Sequence, residues 1–165
     1  VSEVSFGLWC TYNISSKLLV KWIENKAPFS RYILMFQKEV ADRLVSNKNE
    51  KTYSRISVLT QWFYEVKILF NVPRTAFIPK PKVNSSVIML KPRPKPLYPA
   101  NIVYLQKVLR ICFGYRRKML KTSLSFLHSK PEEILDKAGV SKNLRPEDLS
   151  IRDFCEISNV LENIS

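Results

Sequence analysis

Phe77 sits in the stretch "NVPRTAFIPKPKVNSSVIML" (residues 71–90), where Pro79 and Pro81 restrict the backbone and Lys80 and Lys82 bracket it with positive charge. A ring presented from a stiff loop is suited to lying against another flat ring, and the lysines suit the phosphates that accompany a nucleobase. The same ring has the makings of a core residue capping a sheet, so both readings stand at this level. A second cationic knot, Arg116, Arg117 and Lys118 with Lys121 close behind, falls in "FGYRRKMLKTSL" (residues 113–124) and reads as the head of a helix. There it would oppose the helix dipole, which argues for a contact role rather than a structural one. A third stretch, "GLWCTYNISSKLL" (residues 7–19), breaks an apolar run at Cys10, Thr11, Tyr12 and Asn13 and resumes with helical spacing. It is either an ordinary strand-to-helix turn or the rim of an active site.

Other chemistries find little support. His128 is the only histidine, and nothing in the sequence pairs it with a nucleophile, so it reads as a surface residue. Cys10, Cys112 and Cys155 are too scattered for metal ligation or a disulfide framework, which suits a reducing compartment. The 3 glycines form no G-x-G cradle for a nucleotide cofactor. No apolar run is long enough to span a bilayer, and the first residues lack the basic flank and apolar block of a signal peptide.

Charge is more telling. Lysine and arginine number 27 against 14 aspartate and glutamate, a formal net charge of +13. The 66 positions from residue 66 to residue 131 hold no carboxylate and 14 of those cations, so the rest of the chain is close to neutral. A solvated surface mixes signs, and a one-sided segment of this length argues for a polyanion, with nucleic acid favoured ahead of mere solubility and, last, an anionic membrane.

The elements that must position these groups follow from periodicity. With 165 residues and 45% hydrophobic content the chain can bury a substantial core. Ser15 or Ser16 is placed to cap a helix carrying Leu18, Leu19, Trp22 and Ile23. "RYILMF" (31–36) predicts a strand, "QKEVADRLVS" (37–46) a helix, "SRISVLTQWFYEV" (54–66) another helix, "KILFNV" (67–72) a strand ended by Pro73, and "VNSSVIML" (83–90) a further strand. Trp22, Trp62 and Tyr64 belong to core or half-buried helix faces. Pro92, Pro94, Pro96 and Pro99 then mark an extended linker bearing Lys91, Arg93 and Lys95. Beyond it the pattern is helical, with Pro131 in a first turn, Gly139 as a stop, and Ser150 and Asp153 at capping distance. The prediction is an α/β part, residues 1–95, followed by a small all-helical part, residues 96–165. An α/β part with so few strands either has its sheet completed elsewhere or is the back half of a larger domain.

"ILMFQKEVADRL" (33–44), F-x-P-x-P-K-V-x-S (Phe77, Pro79, Pro81, Lys82, Val83, Ser85), "FGYRRKMLKTSL" and "LRPEDLSIRDF" (144–154), in this order, resemble the ribosomal RNA adenine N6,N6-dimethyltransferases of bacterial type. The resemblance runs from about Tyr12 to Leu161 and implies the C-terminal half of a Rossmann-like class I methyltransferase domain followed by a helical RNA-binding domain. It implies methyl transfer from S-adenosylmethionine to two adjacent adenosines of small-subunit ribosomal RNA, with the RNA or a pre-ribosomal particle as partner. The protein is then expected to be monomeric, in the cytoplasm or, for the related organellar branch, in mitochondria.

The resemblance makes Phe77 one wall of the target-adenine site and aligns "YNIS" so that Tyr12 is the other, with Lys80, Lys82, Arg116, Arg117, Lys118 and Lys121 on RNA. Gln37, Lys38 and Glu39 match the family too, though a strand-helix junction welcomes them as caps and surface ion pairs. In the family an N-L-P-Y turn ends the strand, its asparagine accepting from the adenine amine. Here Trp9 stands at the asparagine position and Thr11 at the proline, and an indole N–H only donates. The family's glycine-rich loop and acidic residue for S-adenosylmethionine have no counterpart, so the chain reads as N-terminally truncated and inactive alone. A non-catalytic RNA-binding or ribosome-assembly module, or a degenerate gene fragment, is the alternative.

Overall fold

The computed structural model describes residues 5–9 and 30–164. The predicted helix following Ser15 or Ser16 lies outside them. The chain divides into two compact units, Val1–Ser46 with Leu59–Leu97, and Asn47–Val58 with Tyr98–Ser165.

The first unit is built on a four-stranded sheet. Its strands are β1 (Ser5–Trp9), β2 (Arg31–Gln37), β3 (Tyr64–Val72) and β4 (Ser85–Pro92), in the order β1-β2-β4-β3. β1 runs parallel to β2, and β4 is antiparallel to both of its neighbours. β3 therefore shares the direction of β1 and β2. Alternation in β2 buries Tyr32, Leu34 and Phe36 on one face, as period-two patterning requires. Ile88 and Leu90 of β4, paired with Leu34 and Tyr32, complete the apolar layer, and the rings of Tyr32 and Tyr64 meet edge-on at 5.7 Å. At the end of the sheet order, β3 carries a register irregularity between Ile68 and Phe70, a device that discourages further strand pairing.

Helix α1 (Lys38–Val45) buries Val40, Ala41 and Leu44 and turns two i,i+4 ion pairs outward, Lys38 with Asp42 and Glu39 with Arg43. Its last carbonyls, unpaired within the helix, are met by Gln61, whose amide donates to the carbonyl oxygens of Leu44 at 3.1 Å and Ser46 at 2.7 Å. Helix α2 (Arg55–Phe63) stops sooner than its sequence predicts, because Tyr64 to Val66 join β3. Trp62 and Tyr64 are both buried, as expected of core residues. β4 likewise runs on through Pro92, since a proline at the last pair of a ladder forfeits little. The proline-rich segment after it is tied back by Arg93 N–H to the Phe63 carbonyl and Leu97 N–H to the Trp62 carbonyl.

The second unit packs α3 (Ile102–Gly114) against α6 (Ile151–Ile164), with α4 (Leu120–Leu124) and α5 (Pro131–Lys137) beside them. Leu105, Val108, Leu109 and Cys112 of α3 face a layer containing Phe154, Cys155, Ile157 and Leu161. Tyr53, Phe113 and Phe154 form a chain of ring contacts at 5.8 and 5.5 Å. Asn101 caps α3 by accepting the Val103 N–H at 3.0 Å. Ser150 and Asp153 form a reciprocal capping box at 2.7 and 3.2 Å, and Gly139, at φ +67°, closes α5.

Candidate nucleic-acid interface

The strand pairing defines one edge of the sheet where chemistry collects. Gln37 pairs with Ser85, and Ser85 in turn with Val72, so the carboxyl ends of β2 and β3 meet the amino end of β4 there. Trp9, the last residue of β1, pairs with Met35 two residues from the same edge. Open α/β sheets bind ligands beyond the carboxyl ends of their parallel strands. The loop that springs from this edge, residues 73–84, is the one that carries Phe77.

That loop is braced at its base. Pro73 opens a short 3-10 turn (Arg74–Ala76), and the Ala76 N–H closes on the Pro73 carbonyl at 3.0 Å. The Asn84 side chain accepts the Arg74 N–H at 3.0 Å, and the Asn84 carbonyl accepts the Lys38 N–H at 2.9 Å. The Arg74 guanidinium reaches the Lys82 carbonyl at 3.5 Å. Phe77 follows the turn in extended conformation and is half-buried, while its neighbour Ile78, joined to Pro79 by a cis peptide, is wholly exposed. Lys80 and Lys82 are exposed. Beside the loop lies a depression of about 540 Å³ lined by Lys38, Glu39, Asp42, Arg74, Lys82 and Asn84, with Val83. Three cations against two carboxylates leave it mildly positive, with Lys38 and Asp42 already paired at 2.8 Å. Lys91 and Arg93 do not join this rim. They lie at the opposite end of β4, each within 3.8 Å of Glu65.

The second cationic group is placed differently from its prediction. Arg116, Arg117 and Lys118 do not head a helix; they form the turn after α3, and α4 begins only at Leu120. The helix stops at Gly114 because Tyr115, whose N–H makes the last helical bond to the Ile111 carbonyl, leaves helical geometry at φ −114° and ψ 41°, and the Lys118 N–H turns back to the Tyr115 carbonyl. Positive charge there complements the carboxyl end of α3 rather than opposing an amino end. Arg116 is engaged within the unit: its Nε donates to Glu147 at 2.9 Å, and an Nη donates to the carbonyl of Lys51 at 2.9 Å. Arg117 and Lys118 are exposed, and Lys121 is half-buried close enough to Glu132 to help hold that carboxyl below its usual range, after the larger effect of Lys142. His128 is half-buried, with Nδ1 accepting the Lys130 N–H.

Tyr12 lies outside the described residues, as does the rest of the turn after Trp9. Of the glycines among the described residues, Gly114 and Gly139 belong to the helical unit and Gly7 lies within β1, so no strand described runs into a glycine-rich turn. The described residues therefore do not fit an S-adenosylmethionine cradle of the expected kind. Among the described residues, no cluster of histidine, cysteine or carboxylate side chains has the makings of a metal site, and no helix is long and apolar enough to cross a membrane. Sequence reasoning missed Arg74 and Asn84 on the rim. Their roles come from pairing across the base of the loop, which no local pattern signals.

A sheet in which antiparallel β4 stands between β2 and β3, with a basic helical unit beside it in sequence, is a partial α/β domain of Rossmann-like type. The model of the family described as ribosomal RNA adenine dimethylase matches residues 9–163, and the chain belongs to that family. It is 44% identical over 151 residues to ribosomal RNA small subunit methyltransferase A of Paramagnetospirillum magneticum, covering 92% of this chain and 53% of that protein. The corresponding protein of Ehrlichia ruminantium is 43% identical over 150 residues, covering 91% of this chain and 57% of its own length. The chain thus spans about half the length of the curated relatives it matches. Among solved structures, a dimethyladenosine transferase from Plasmodium falciparum superposes with a TM-score of 0.81 at 27% identity, over 93% of this chain and 64% of that one. The 23S rRNA methyltransferase ErmE gives 0.65 at 23% identity over 96% and 65%, a likeness of fold.

Proposed function

We propose that this chain is the target-base and RNA-binding part of a small-subunit ribosomal RNA adenine N6,N6-dimethyltransferase, an enzyme that draws its methyl groups from S-adenosylmethionine. The single observation that carries this is Phe77 on a loop braced by Asn84 at the carboxyl edge of the sheet, where the family's target base would lie. In this reading Phe77 and Tyr12 hold the extruded adenine between them, as enzymes acting on a base must. Lys80, Lys82, Arg117, Lys118 and Lys121 meet phosphates, while Arg116 supports the turn that presents its neighbours. The residues described supply no cofactor cradle, so these 165 residues alone bind RNA and transfer no methyl group. The location is the cytoplasm and the working form a monomer.

Two measurements on the chain as it stands test this. Filter binding to the 3′-terminal region of small-subunit RNA should show affinity that falls steeply between about 50 and 200 mM salt. Incubation of small-subunit particles with labelled S-adenosylmethionine should give incorporation at background. Turnover clearly above background would refute the inactive assignment, and no RNA binding at low salt would refute the RNA-binding part. Salt-dependent binding with equal affinity for any RNA would favour a non-catalytic assembly module, a reading already supported by the carboxylate-free stretch.

A further inference from the structure

Tyr115 and Phe126 lie face to face in the helical unit, ring centroids 4.4 Å apart and planes 8° from parallel. Stacked rings in a protein core are normally buried, yet Tyr115 is 40% and Phe126 58% exposed. Local backbone bonds hold them in place. Tyr115 terminates α3, its carbonyl accepting the Lys118 N–H at 2.8 Å, and Phe126 follows α4 with its N–H on the Ser123 carbonyl at 3.3 Å. Between the two in sequence lie the exposed Arg117 and Lys118, and both rings fall inside the 66 positions that hold no carboxylate.

One face of each ring is spent on the other, and the exposed Arg117 and Lys118 follow Tyr115 within three residues, in a stretch of sequence free of carboxylates. A second copy of the chain would bring the same positive charge to this spot. An unpaired nucleotide brings a flat ring for the aromatic face and a phosphate for the cations, the combination by which single-stranded RNA is held. We propose that Tyr115 and Phe126 form a base-stacking platform for one unpaired nucleotide of RNA, with Arg117 and Lys118 on its flanking phosphates. The platform rests on the RNA-binding reading above and is separate from the Phe77 loop: it takes a nucleotide that is held, not modified.

The test uses the whole chain and a fluorescent single-stranded RNA octamer, compared with the same octamer lacking its bases. Phe126→Leu and Tyr115→Leu keep apolar cover but remove a ring. Each should weaken the intact RNA about 5- to 100-fold, leave the base-free strand unchanged and preserve the salt dependence. Phe126→Trp should restore binding. Lys118→Gln should weaken both strands alike and lower the salt slope by about 0.7. As a measurement that needs no variant, photo-crosslinking with 5-iodouridine RNA should mark Tyr115 or Phe126 in the parent protein. Equal losses on both strands, no loss in either ring variant, or crosslinks that avoid both rings would overturn the platform while leaving RNA binding standing. A concentration-dependent dimer in sedimentation that either ring variant abolishes, with RNA affinity unchanged, would assign the rings to self-association instead. Absence of RNA binding by the parent chain would overturn this inference together with the proposed function.

Discussion

The side-chain oxygen of Asn84 accepts the backbone N–H of Arg74 at 3.0 Å, across the base of the loop that presents Phe77. The same residue's carbonyl holds the first N–H of α1 through Lys38 at 2.9 Å. One residue therefore fixes the loop to the sheet edge and to the adjoining helix. Asn84→Ala should cost about 1 kcal/mol in urea denaturation, the net worth of one such bond, whereas Asn84→Asp should retain most of it because the acceptor survives. Hydrogen exchange should localise the effect, with faster exchange at Arg74 and Ala76 in the alanine variant. Unchanged exchange at both amides would show that the loop is held by something else.

Phe77 is predicted to act on the base and not on the phosphates. RNA carrying 2-aminopurine at the target position should lose its stacking-dependent quenching with Phe77→Ala, with affinity falling about 5- to 100-fold. Lys80→Gln and Lys82→Gln should instead leave the quenching intact and each lower the salt slope by about 0.7. Quenching that survives Phe77→Ala would return this ring to the role of a sheet cap.

Arg116 and Arg117 are adjacent in sequence and opposite in consequence. Arg116 joins Glu147 and the carbonyl of Lys51, and is about one-third exposed, so solvent screens part of its gain. Arg116→Ala should destabilise the protein by about 1–2 kcal/mol. Arg116→Lys should not rescue it, since an ammonium cannot reproduce the divergent donors of the guanidinium. Arg117→Ala should change stability by less than about 0.5 kcal/mol and weaken RNA binding uniformly across sequences. A pair of urea titrations and salt-dependent binding curves would separate the two. Equal stability losses would contradict the assignment.

How far the sequence discloses these roles depends on the range of the interactions. β2 and α1, the capping box of Ser150 and Asp153 and the stop at Gly139 are visible because each rests on residues within a turn of one another. Phe77 is visible as a candidate through the prolines beside it. The insertion of β4 between β2 and β3 is not, because period-two patterning gives strands without giving their neighbours. The engagement of Arg116 is hidden for the same reason, its partners lying 31 and 65 positions away. Its neighbourhood is misread as a helix start because Arg116 to Met119 have adequate helical propensity, yet Tyr115 leaves helical geometry and ends α3, and α4 begins only at Leu120. The Tyr115–Phe126 stack is an 11-residue relationship spanning that turn, and no periodicity marks it.

Gly139 makes a local prediction with a specific cause. A Cβ added there meets nothing within 4 Å, so the cost of substitution is conformational alone, set by φ +67°. Gly139→Ala should destabilise by about 1 kcal/mol and Gly139→Asn by less, because asparagine tolerates the left-handed region. Calorimetry on the two variants would decide it. Equal melting temperatures for the parent and the alanine variant would mean that α5 ends another way in solution.

The buried thiols make stability sensitive to alkaline pH. Burial pushes Cys112 up to about 12, and burial, with a smaller contribution from the charge of Glu156, pushes Cys155 up to about 12. Tyr64 and Tyr53 are raised as well, burial again being the larger cause. An unfolded thiol titrates near 9, so below that value folded and unfolded chains bind the same protons at these cysteines and stability is indifferent to them. Above it the unfolded chain releases protons that the folded chain retains. The stability they contribute is therefore lost as pH rises from about 9 towards 12, with each thiol adding a slope of about 1.4 kcal/mol per pH unit once its unfolded form is ionised. Urea midpoints should hold level to about pH 9 and then decline, and Cys112→Ala should make the decline shallower by one thiol's share. In native buffer at about pH 9, iodoacetamide should leave Cys112 and Cys155 unmodified and label both in urea, as peptide masses would show. A decline that Cys112→Ala leaves unaltered would mean that this thiol is not the group responsible.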